Sequence, residues 1–482
     1  MFSTINNEKH YIEFFSETIA SFGGDGARGK KKYVSRDNAT NNPDKGAYFG
    51  CIAEGEEDHG QYSGLSIVIF PSNEENSSQD RWLISLAVGS SGYENDYDLV
   101  SLPGTNRCFR KYLNEASFVK SDFQDIESSD GFNSFCSNNE TNIPETLTKS
   151  YDSYKQFILA CSLFNPNEEE PSKQLIKKYL AIYARLRQWP SNIAQRRLVA
   201  SVLASPATVI DEEILVRDLL EKRKYIVLQG APGTGKTRLA KKIPGANDIV
   251  HFTQFHAETS YNDFVYGIVP DVDCCNLKYK LHEGIFVEAI RDAQKTENQN
   301  KKIFLIIDEI NRANLSNVLG PSFYLFEPIM SGRAVSIEIC PSYNNLPALK
   351  LSKLPDNLYV IATMNTADRS LAVVDFALRR RFAWYTLLPH RIEAEPGAKF
   401  WKEYFDDIAE IFEKYAKDEE LNLQPGHAYF ITSTENENEI KNRLRYEVMP
   451  LIKEYLMDGM LSRAKDNFIS YFRKKICTEM FN

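Results

Sequence analysis

The sequence GAPGTGKT, residues 230–237, decides the fold class of this chain. It fits G-x-x-x-x-G-K-[ST], the pattern of a phosphate-binding loop. An apolar run at 225–229 precedes it and predicts a buried strand, and residues 238–242 suit the start of a helix. Strand, loop and helix together are the context that the motif needs, because its glycines let backbone N–H groups turn toward phosphate oxygens. We predict nucleotide contacts from Gly230, Ala231, Pro232, Gly233, Thr234, Gly235, Lys236 and Thr237.

Two side chains of this loop carry more specific predictions. Lys236 is expected to reach the β- and γ-phosphates, and Thr237 is expected to hold Mg²⁺. The alternative, a plain glycine turn between a strand and a helix, would not require every fixed position of the motif to be filled. The loop alone therefore predicts binding of a nucleoside triphosphate and leaves its base open.

A second predicted strand ends in two carboxylates. The apolar residues 303–307 are followed by Asp308 and Glu309. Ligands bind at the carboxyl ends of strands in open α/β sheets. Since phosphoryl transfer needs a metal ion and a placed water, we expect Asp308 to hold Mg²⁺ through its water shell and Glu309 to orient and deprotonate the attacking water. Taken alone, the two residues would also fit the N-terminal cap of a helix.

A third strand is predicted at 358–363, and polar residues follow it. Asn365, at the tip of this strand and between the other two, is expected to bond the γ-phosphate or the water. Farther on, three arginines follow one another at 379–381. An arginine from a neighbouring subunit can stabilise the transferred phosphoryl group, and Arg380 and Arg381 are the candidates. A basic surface patch is the alternative.

The composition indicates a soluble globular protein. The chain has 482 residues, 43% of them hydrophobic and 26% charged, and a net charge of −9 that is concentrated in residues 1–160. An acidic N-terminal region argues against non-specific binding of duplex DNA, which depends on Lys and Arg. The eight cysteines form no C-x-x-C pair, so a structural zinc site is not expected.

No segment of the sequence is predicted to enter a membrane. No run reaches the ~20 apolar residues of a membrane-spanning helix. The polar and acidic start at 1–8 lacks the basic and apolar regions of a signal peptide. We therefore expect a cytoplasmic protein.

The first part of the chain is predicted to be a separate domain. Residues 1–165 are expected to be α+β, with strands near 64–70 and 81–88 and an exposed loop at 121–142. Residues 166–205 are expected to form a linker and helical connector.

The remainder is predicted to contain the nucleotide site. Residues 206–390 are expected to form an α/β nucleotide-binding domain. Residues 391–482 show helical apolar patterns and are expected to form a small lid that moves with nucleotide state.

Two stretches go beyond a generic phosphate-binding fold: DEINRANLS at 308–316 and MNTADRSLAVVD at 364–375. With them, the chain from about Leu215 onward resembles the AAA+ motor of the McrB family, the nucleoside-triphosphatase subunits of modification-dependent restriction systems. Further matches lie at 254–256, at 261–264 with Gly267 and Pro270, and at 426–430. One departure is Ala428, where the family usually has serine.

The resemblance implies a fold and a set of residue roles. The fold is an α/β AAA+ module, a parallel sheet flanked by helices with a C-terminal helical lid, preceded by the α+β domain. The family forms rings, with hexamers expected, and its active site lies between subunits. By resemblance, Asn365 with Asp368 and Arg369 forms the family signature, while Arg380 and Arg381 act on the nucleotide of the neighbouring subunit.

The resemblance also implies a nucleotide and partners. It favours GTP over ATP, although the N-K-x-D motif that reads guanine in other families is absent after Asp308. The chain shows no P-D…(D/E)-x-K nuclease motif, so cleavage is assigned to an McrC-like nuclease subunit. The implied function is a GTP-hydrolysing motor of a restriction or phage-defence complex that drives DNA translocation or remodelling. The N-terminal domain would bind DNA, with or without modified bases.

Two other functions stay open on the sequence. One is an AAA+ protein remodeller of the MoxR kind, which the stretch 364–375 disfavours. The other is a nucleotide-gated sensor of another defence system that uses ATP. The role of His427 is also open: it could be a lid residue near the nucleotide or a histidine packed against the core.

Overall fold

A computed structural model describes the chain in two units. The described residues are 2–25, 33–37, 49–53, 64–72, 81–89, 96–113, 117–120, 145–203, 211–271, 278–327, 335–343, 346–367 and 376–481. The first unit comprises Met1–Thr208 with Glu413–Lys417, and the second comprises Val209–Phe412 with Asp418–Asn482. The predicted loop at 121–142 and the signature residues Asp368 and Arg369 lie outside the described residues.

The first unit is built on an antiparallel sheet with the strand order β1-β2-β3-β4-β6-β5. The strands at its centre are fully buried, which accounts for their continuous rather than alternating apolar sequences. The strands are β1 Tyr33–Asp37, β2 Phe49–Ala53, β3 Leu65–Phe70, β4 Trp82–Val88, β5 Phe118–Val119 and β6 Ile158–Phe164.

Helices cover both faces of this sheet. They are α1 Phe2–Ser21, α2 Tyr97–Val100, α3 Pro103–Leu113, α4 Glu145–Tyr154, α5 Glu169–Leu186 and α6 Ile193–Leu203. Side chains of α1, α3, α5 and α6 share one buried cluster with Trp82, and α4 packs against the opposite face through Leu147 and Tyr151. The mixed α and β content of this region agrees with the predicted fold class.

The segment predicted as a connector contributes to this core. Tyr179 and Tyr183 of α5 and Leu203 of α6 lie in the same buried cluster as the sheet residues. The domain boundaries themselves stay predictions. Residues 169–171, in the segment predicted as a linker, form the first turn of α5, where glutamates are favoured and a proline needs no intrahelical N–H partner.

A buried ion pair fixes the end of α5 in the first unit. Arg187, which follows α5, donates from Nη1 and Nη2 to the two carboxylate oxygens of Asp96, each at 2.6 Å. Its Nη2 also donates to the carbonyl oxygen of Leu65 at 2.7 Å. Only 5% of the Asp96 side chain is exposed, so both charges depend on one another for solvation.

The second unit is built on a parallel sheet with the strand order β15-β7-β14-β11-β8. Alternate residues of its strands enter two buried clusters on opposite faces, for example Val227 in one and Ile226 with Leu228 in the other. The strands of this sheet are β7 Tyr225–Gly230, β8 Ile249–Gln254, β11 Ile303–Asp308, β14 Leu358–Asn365 and β15 Ala383–Thr386.

Helices flank the parallel sheet, and three short two-stranded sheets accompany it. The helices are α7 Glu212–Arg223, α8 Lys236–Lys242, α9 Tyr261–Phe264, α10 Ile285–Gln294, α11 Leu315–Leu319 and α12 Phe376–Arg381. The small sheets pair β9 Tyr266–Asp271 with β10 Lys278–Glu283, β12 Ile337–Cys340 with β13 Leu349–Leu351, and β16 Lys399–Phe400 with β17 Ile431–Thr432. The parallel sheet flanked by helices confirms the predicted fold class.

The C-terminal residues are helical, as the apolar periodicity predicted. The helices are α13 Lys402–Tyr415, α14 Glu437–Arg443, α15 Met449–Met457 and α16 Lys465–Ile476. Among the described parts of the chain, no helix combines the length and the apolar character that crossing a bilayer requires.

Candidate nucleotide-binding site

The phosphate-binding loop connects β7 to α8 and stands at the carboxyl end of the parallel sheet. Gly233 and Gly235 have φ angles of +78° and +81°. These angles lie in the left-handed region that glycine adopts without the steric penalty of a Cβ atom. The two glycines therefore allow the tight loop that brings Lys236 to the first position of α8.

Lys236 and Thr234 hold the loop in shape from inside. The Lys236 ammonium donates to the carbonyl oxygens of Gly230 and Ala231, at 3.0 and 2.8 Å. The Thr234 hydroxyl donates to the Ala231 carbonyl oxygen at 2.9 Å. Only 6% of Lys236 is exposed, so its ammonium is directed into the loop, where an anionic phosphate would be the stronger partner.

Thr237 and Asp308, the two residues predicted to hold the metal ion, are in direct contact. The Thr237 hydroxyl donates to Oδ1 of Asp308 at 2.7 Å. Thr363 of the adjacent strand β14 donates to the same oxygen at 2.6 Å. The register of β11 against β14 explains this, because Ile307 pairs with Ala362 and the next residues of both strands are neighbours.

This pair of oxygen-bearing side chains fits Mg²⁺. The ion prefers oxygen ligands, usually one or two protein groups with water and phosphate oxygens completing its shell. Thr237 and Asp308 supply such a set beside the phosphate-binding loop. Among the described residues there is no group of three or more His, Cys, Asp or Glu side chains suited to a metal ion.

Glu309 lies at the same edge and is held by two side chains. Asn365 donates from Nδ2 to its Oε1 at 2.6 Å, and Arg312 donates from Nε to its Oε2 at 3.1 Å. The backbone of Glu309 has a φ of +56°, in the left-handed region that is uncommon for residues other than glycine. Its N–H donates to the hydroxyl of Thr363 at 3.1 Å, which supports this turn.

Asn365 occupies the predicted place between the other two strands. The strand β14 lies between β7 and β11, and Asn365 pairs with Gly230 at the start of the loop. The amide of Asn365 therefore stands between the loop and Glu309. This arrangement suits a side chain that orients either the γ-phosphate or the carboxylate next to it.

A segment of the C-terminal part bonds to the loop through backbone atoms. The N–H of Gly426 donates to the Pro232 carbonyl oxygen at 2.9 Å, and the N–H of Ala428 donates to that of Gly233 at 3.0 Å. A Cβ atom on Gly426 would lie 2.0 Å from the backbone of Gly233. Only glycine fits this approach, so residues 426–430, the GHAYF segment, are bound to the loop itself.

His427 stands between these two contacts. Burial, followed by the nearby charges of His390 and Arg238, lowers its pKa from 6.5 to about 4. The ring is therefore neutral at pH 7. Its Nδ1 is buried without a hydrogen-bond partner among the described residues.

The two arginines predicted to act in trans have different surroundings. Arg380 is exposed. Arg381 donates from Nη2 to Oε1 of Glu327 at 2.5 Å, and its guanidinium lies 4.1 Å from the ring centroid of Phe323.

Both arginines lie away from the loop of their own chain. They precede β15, whose first residue pairs with Ile226 near the amino end of β7, whereas the loop follows its carboxyl end. Their action on a neighbouring subunit stays a prediction.

Sequence reasoning missed three residues at the site. Thr363 ends an apolar run and belongs to no motif. Arg312 lies within the stretch at 308–316, but no role was predicted for it. Thr366, which donates to the Asn422 carbonyl oxygen at 3.0 Å and so links β14 to the C-terminal part, was missed as well. Polar residues at the tip of a buried strand were the available signal for Thr363 and Thr366.

Comparisons with known proteins agree with this geometry. Residues 225–382 match the family of the AAA domain (dynein-related subfamily). The McrB subunit of the type IV methyl-directed restriction enzyme EcoK of Escherichia coli K12 is 35% identical over 285 residues, which cover 54% of this chain and 59% of that subunit. The component YdiS of the type II restriction enzyme BsuMI of Bacillus subtilis 168 is 28% identical over 269 residues, covering 46% of this chain and 76% of the relative.

These matches cover only part of each protein. The chain spans 59% of the length of the Escherichia coli relative, so that protein's full activity is not transferred by the match. A solved structure of an ATPase from Cytophaga hutchinsonii matches 51% of this chain and 62% of its own at 14% identity, and its TM-score of 0.25 is too low to bear on the fold.

The AAA-domain match covers the phosphate-binding loop, and a parallel sheet is present with Asp308 and Glu309 at its carboxyl edge. The chain therefore contains an AAA domain at residues 225–382 and is similar in sequence to McrB.

Proposed function

We propose that this chain is the nucleoside-triphosphatase motor subunit of a McrBC-like restriction or phage-defence complex, and that its nucleotide is GTP. The observation that carries the hydrolytic part is the group formed by Thr237, Asp308, Glu309 and Asn365 beside the phosphate-binding loop. The group contains the oxygen ligands, the carboxylate and the amide that phosphoryl transfer to water requires.

The roles of the residues follow from their positions. The loop backbone and Lys236 bind the phosphates, and Thr237 with Asp308 holds Mg²⁺. When bound, the metal ion neutralises charge on the β- and γ-phosphates. Glu309 accepts a proton from the attacking water, and Asn365 orients the Glu309 carboxylate. Arg380 and Arg381 complete the site of a neighbouring subunit in a ring that we propose to be hexameric, while Asp368 and Arg369 keep the roles implied by the family signature.

The biological setting is proposed from the relatives. Both are components of restriction enzymes, and the Escherichia coli one is described as methyl-directed. We propose that the N-terminal unit binds DNA, that the ring drives translocation or remodelling, and that an McrC-like nuclease subunit performs cleavage. Preference for GTP over ATP rests on the resemblance to the McrB family.

Turnover measurements on the purified full chain test this function. We expect Mg²⁺-dependent release of phosphate from GTP at a higher kcat/KM than from ATP, and stimulation by DNA or by the partner nuclease. The variant Lys236→Ala should lose nucleotide binding and serves as the control for contaminating phosphatases. Equal turnover by the native chain and by this variant would contradict the hydrolytic function, and a preference for ATP would contradict the choice of GTP.

A further inference from the structure

A line of side chains leads away from the phosphate-binding loop. It begins at His427, whose Nε2 would lie 3.4 Å from a Cβ atom placed on Gly235. The ring centroids of His427 and His390 are 4.9 Å apart, and the rings are tilted by 58°. Next to His390 stands the carboxylate of Glu212, with 3.8 Å between His390 Nδ1 and Glu212 Oε1.

A nucleotide bound at the loop would place its nucleoside next to these side chains. The loop holds the phosphates of a nucleotide, so the nucleoside must extend from the loop along the neighbouring surface. His427 and His390 come first in the line, and their flat imidazole rings are suited to packing against a ribose or a planar base. Glu212 comes last and would face the edge of the base.

The carboxylate of Glu212 has unused acceptor capacity. Its distance to His390 is longer than the ~3.2 Å limit of a good hydrogen bond, and no hydrogen bond to this carboxylate is present among the described residues. Its side chain is 27% exposed. Burial raises the pKa of Glu212, while His390 opposes that effect. A partly buried carboxylate of this kind is stabilised by any ligand that donates hydrogen bonds to it.

We propose that Glu212 accepts hydrogen bonds from the N1–H and the 2-amino group of a guanine base that packs against His390 and His427. An ionised carboxylate only accepts. Guanine offers two adjacent donors on this edge, whereas adenine offers an acceptor at N1 and a C–H group at position 2. Glu212 is thus the residue that selects the base, and the assignment rests on the proposed use of a guanine nucleotide at this loop.

The first test needs only the native chain. Binding of GDP, inosine diphosphate and ADP is measured calorimetrically in the presence of Mg²⁺. Inosine diphosphate differs from GDP by loss of the 2-amino group alone, and we expect about tenfold weaker binding or more. Equal binding of GDP and inosine diphosphate would overturn the assignment.

The second test changes the carboxylate. In Glu212→Gln the amide presents one donor and one acceptor, which matches the 2-oxo group and N1–H of xanthine. We expect this variant to lose the difference between GDP and inosine diphosphate and to gain xanthosine diphosphate binding by about tenfold or more. Glu213→Gln is the matched control, because its carboxylate contacts Arg217 and Lys242, and it should behave like the native chain.

The outcomes separate this assignment from the proposed function. A native chain that prefers ADP to GDP contradicts the use of a guanine nucleotide. A native chain that prefers GDP, with a Glu212→Gln variant that keeps the native order of ligands and a native thermal unfolding curve, overturns the role of Glu212 alone. Gain of xanthosine diphosphate binding would not follow from a merely structural Glu212–His390 contact.

Discussion

The carboxylates at the sheet edge of the second unit and the buried carboxylate Asp96 of the first unit have opposite surroundings. In the second unit, Asp308 and Glu309 lie at strand ends and are partly exposed. Asp308 accepts hydrogen bonds from the neutral hydroxyls of Thr237 and Thr363, and Glu309 bonds to the amide of Asn365 and to the exposed guanidinium of Arg312. In the first unit, Asp96 and Arg187 are buried and neutralise one another through two hydrogen bonds of 2.6 Å. The first arrangement suits a bound metal ion and phosphates, and the second suits a fixed fold.

This difference leads to two expectations that mutations can test. Removing a carboxylate at the sheet edge should change chemistry with little change in stability. Removing the buried carboxylate of the first unit should change stability with little change in chemistry. The substitutions below test these expectations, with the arginines taken together first.

Substitution of Arg380 tests whether the site extends beyond one chain. Arg380→Ala should leave nucleotide binding intact and lower kcat by on the order of a thousandfold, because a trans-acting arginine stabilises charge on the transferred phosphoryl group. Phosphate release and nucleotide titration measure the two effects. The control is Arg379→Ala, another exposed arginine whose guanidinium lies over Trp384. An equal loss of kcat in both variants would mean that the arginines at 379–381 act only as a basic surface patch.

Arg381 should behave differently from Arg380. Arg381→Ala removes the contacts to Glu327 and Phe323, so we expect a loss of about 1–2 kcal/mol of stability in addition to any loss of turnover. Urea unfolding of both variants, side by side, distinguishes them. Unchanged stability of Arg381→Ala would mean that its contacts within the chain contribute nothing.

Glu309→Gln tests the carboxylate beside the loop. The substitution keeps the size of the side chain and removes its capacity to accept a proton, so kcat should fall by on the order of a thousandfold while nucleotide stays bound. Glu288→Gln, at an exposed position of α10, is the matched control. Retained turnover in Glu309→Gln would show that Glu309 does not accept the proton of the attacking water.

The buried pair of the first unit should respond in the opposite sense. Asp96→Asn leaves the Arg187 guanidinium without its counter-charge, and we expect the free energy of unfolding to fall by about 3 kcal/mol. The turnover number of the folded protein should not change. Asp98→Asn, exposed in the same region, should stay within about 0.5 kcal/mol of the native protein. A turnover defect in Asp96→Asn without loss of stability would contradict the comparison.

A further prediction concerns the dependence of stability on pH. His427 has its pKa lowered from 6.5 to about 4 by burial, so the unfolded chain takes up a proton first as the pH falls. Its contribution to stability is complete above pH 6.5 and is lost between pH 6.5 and 4, by about 2 kcal/mol for this partly buried ring. His427→Gln should flatten this part of the stability profile, whereas the exposed His256→Gln should not. An unchanged slope in His427→Gln would mean that the ring has the same pKa in the folded and the unfolded chain.

The sequence was most informative where spacing and strand polarity determine position. The loop motif, the carboxylates after the run at 303–307 and Asn365 after 358–363 could be placed at one edge, because the carboxyl ends of parallel strands meet there. In the structure β14 lies between β7 and β11, so Asn365 stands at the middle one of these three strand ends.

What the sequence could not predict depends on contacts between distant residues. Asp96 and Arg187 are 91 positions apart, and neither lies in a motif. Glu212, His390 and His427 come together from α7, from the segment after β15 and from the GHAYF segment, which are far apart in the sequence. The role of Thr363 could not be predicted, because a threonine at the end of a buried strand does not interrupt the apolar pattern of that strand.

One measurement tests the account of a shared active site most directly. Arg380→Ala and Glu309→Gln proteins, each inactive alone, are mixed and allowed to assemble before GTP turnover is measured. If Arg380 acts on the neighbouring subunit, mixed rings contain sites with an intact Glu309 and an intact Arg380, and turnover returns to a substantial share of the native rate. If the mixture stays as inactive as its components while native subunits exchange freely, the site is contained within one chain and the account is wrong.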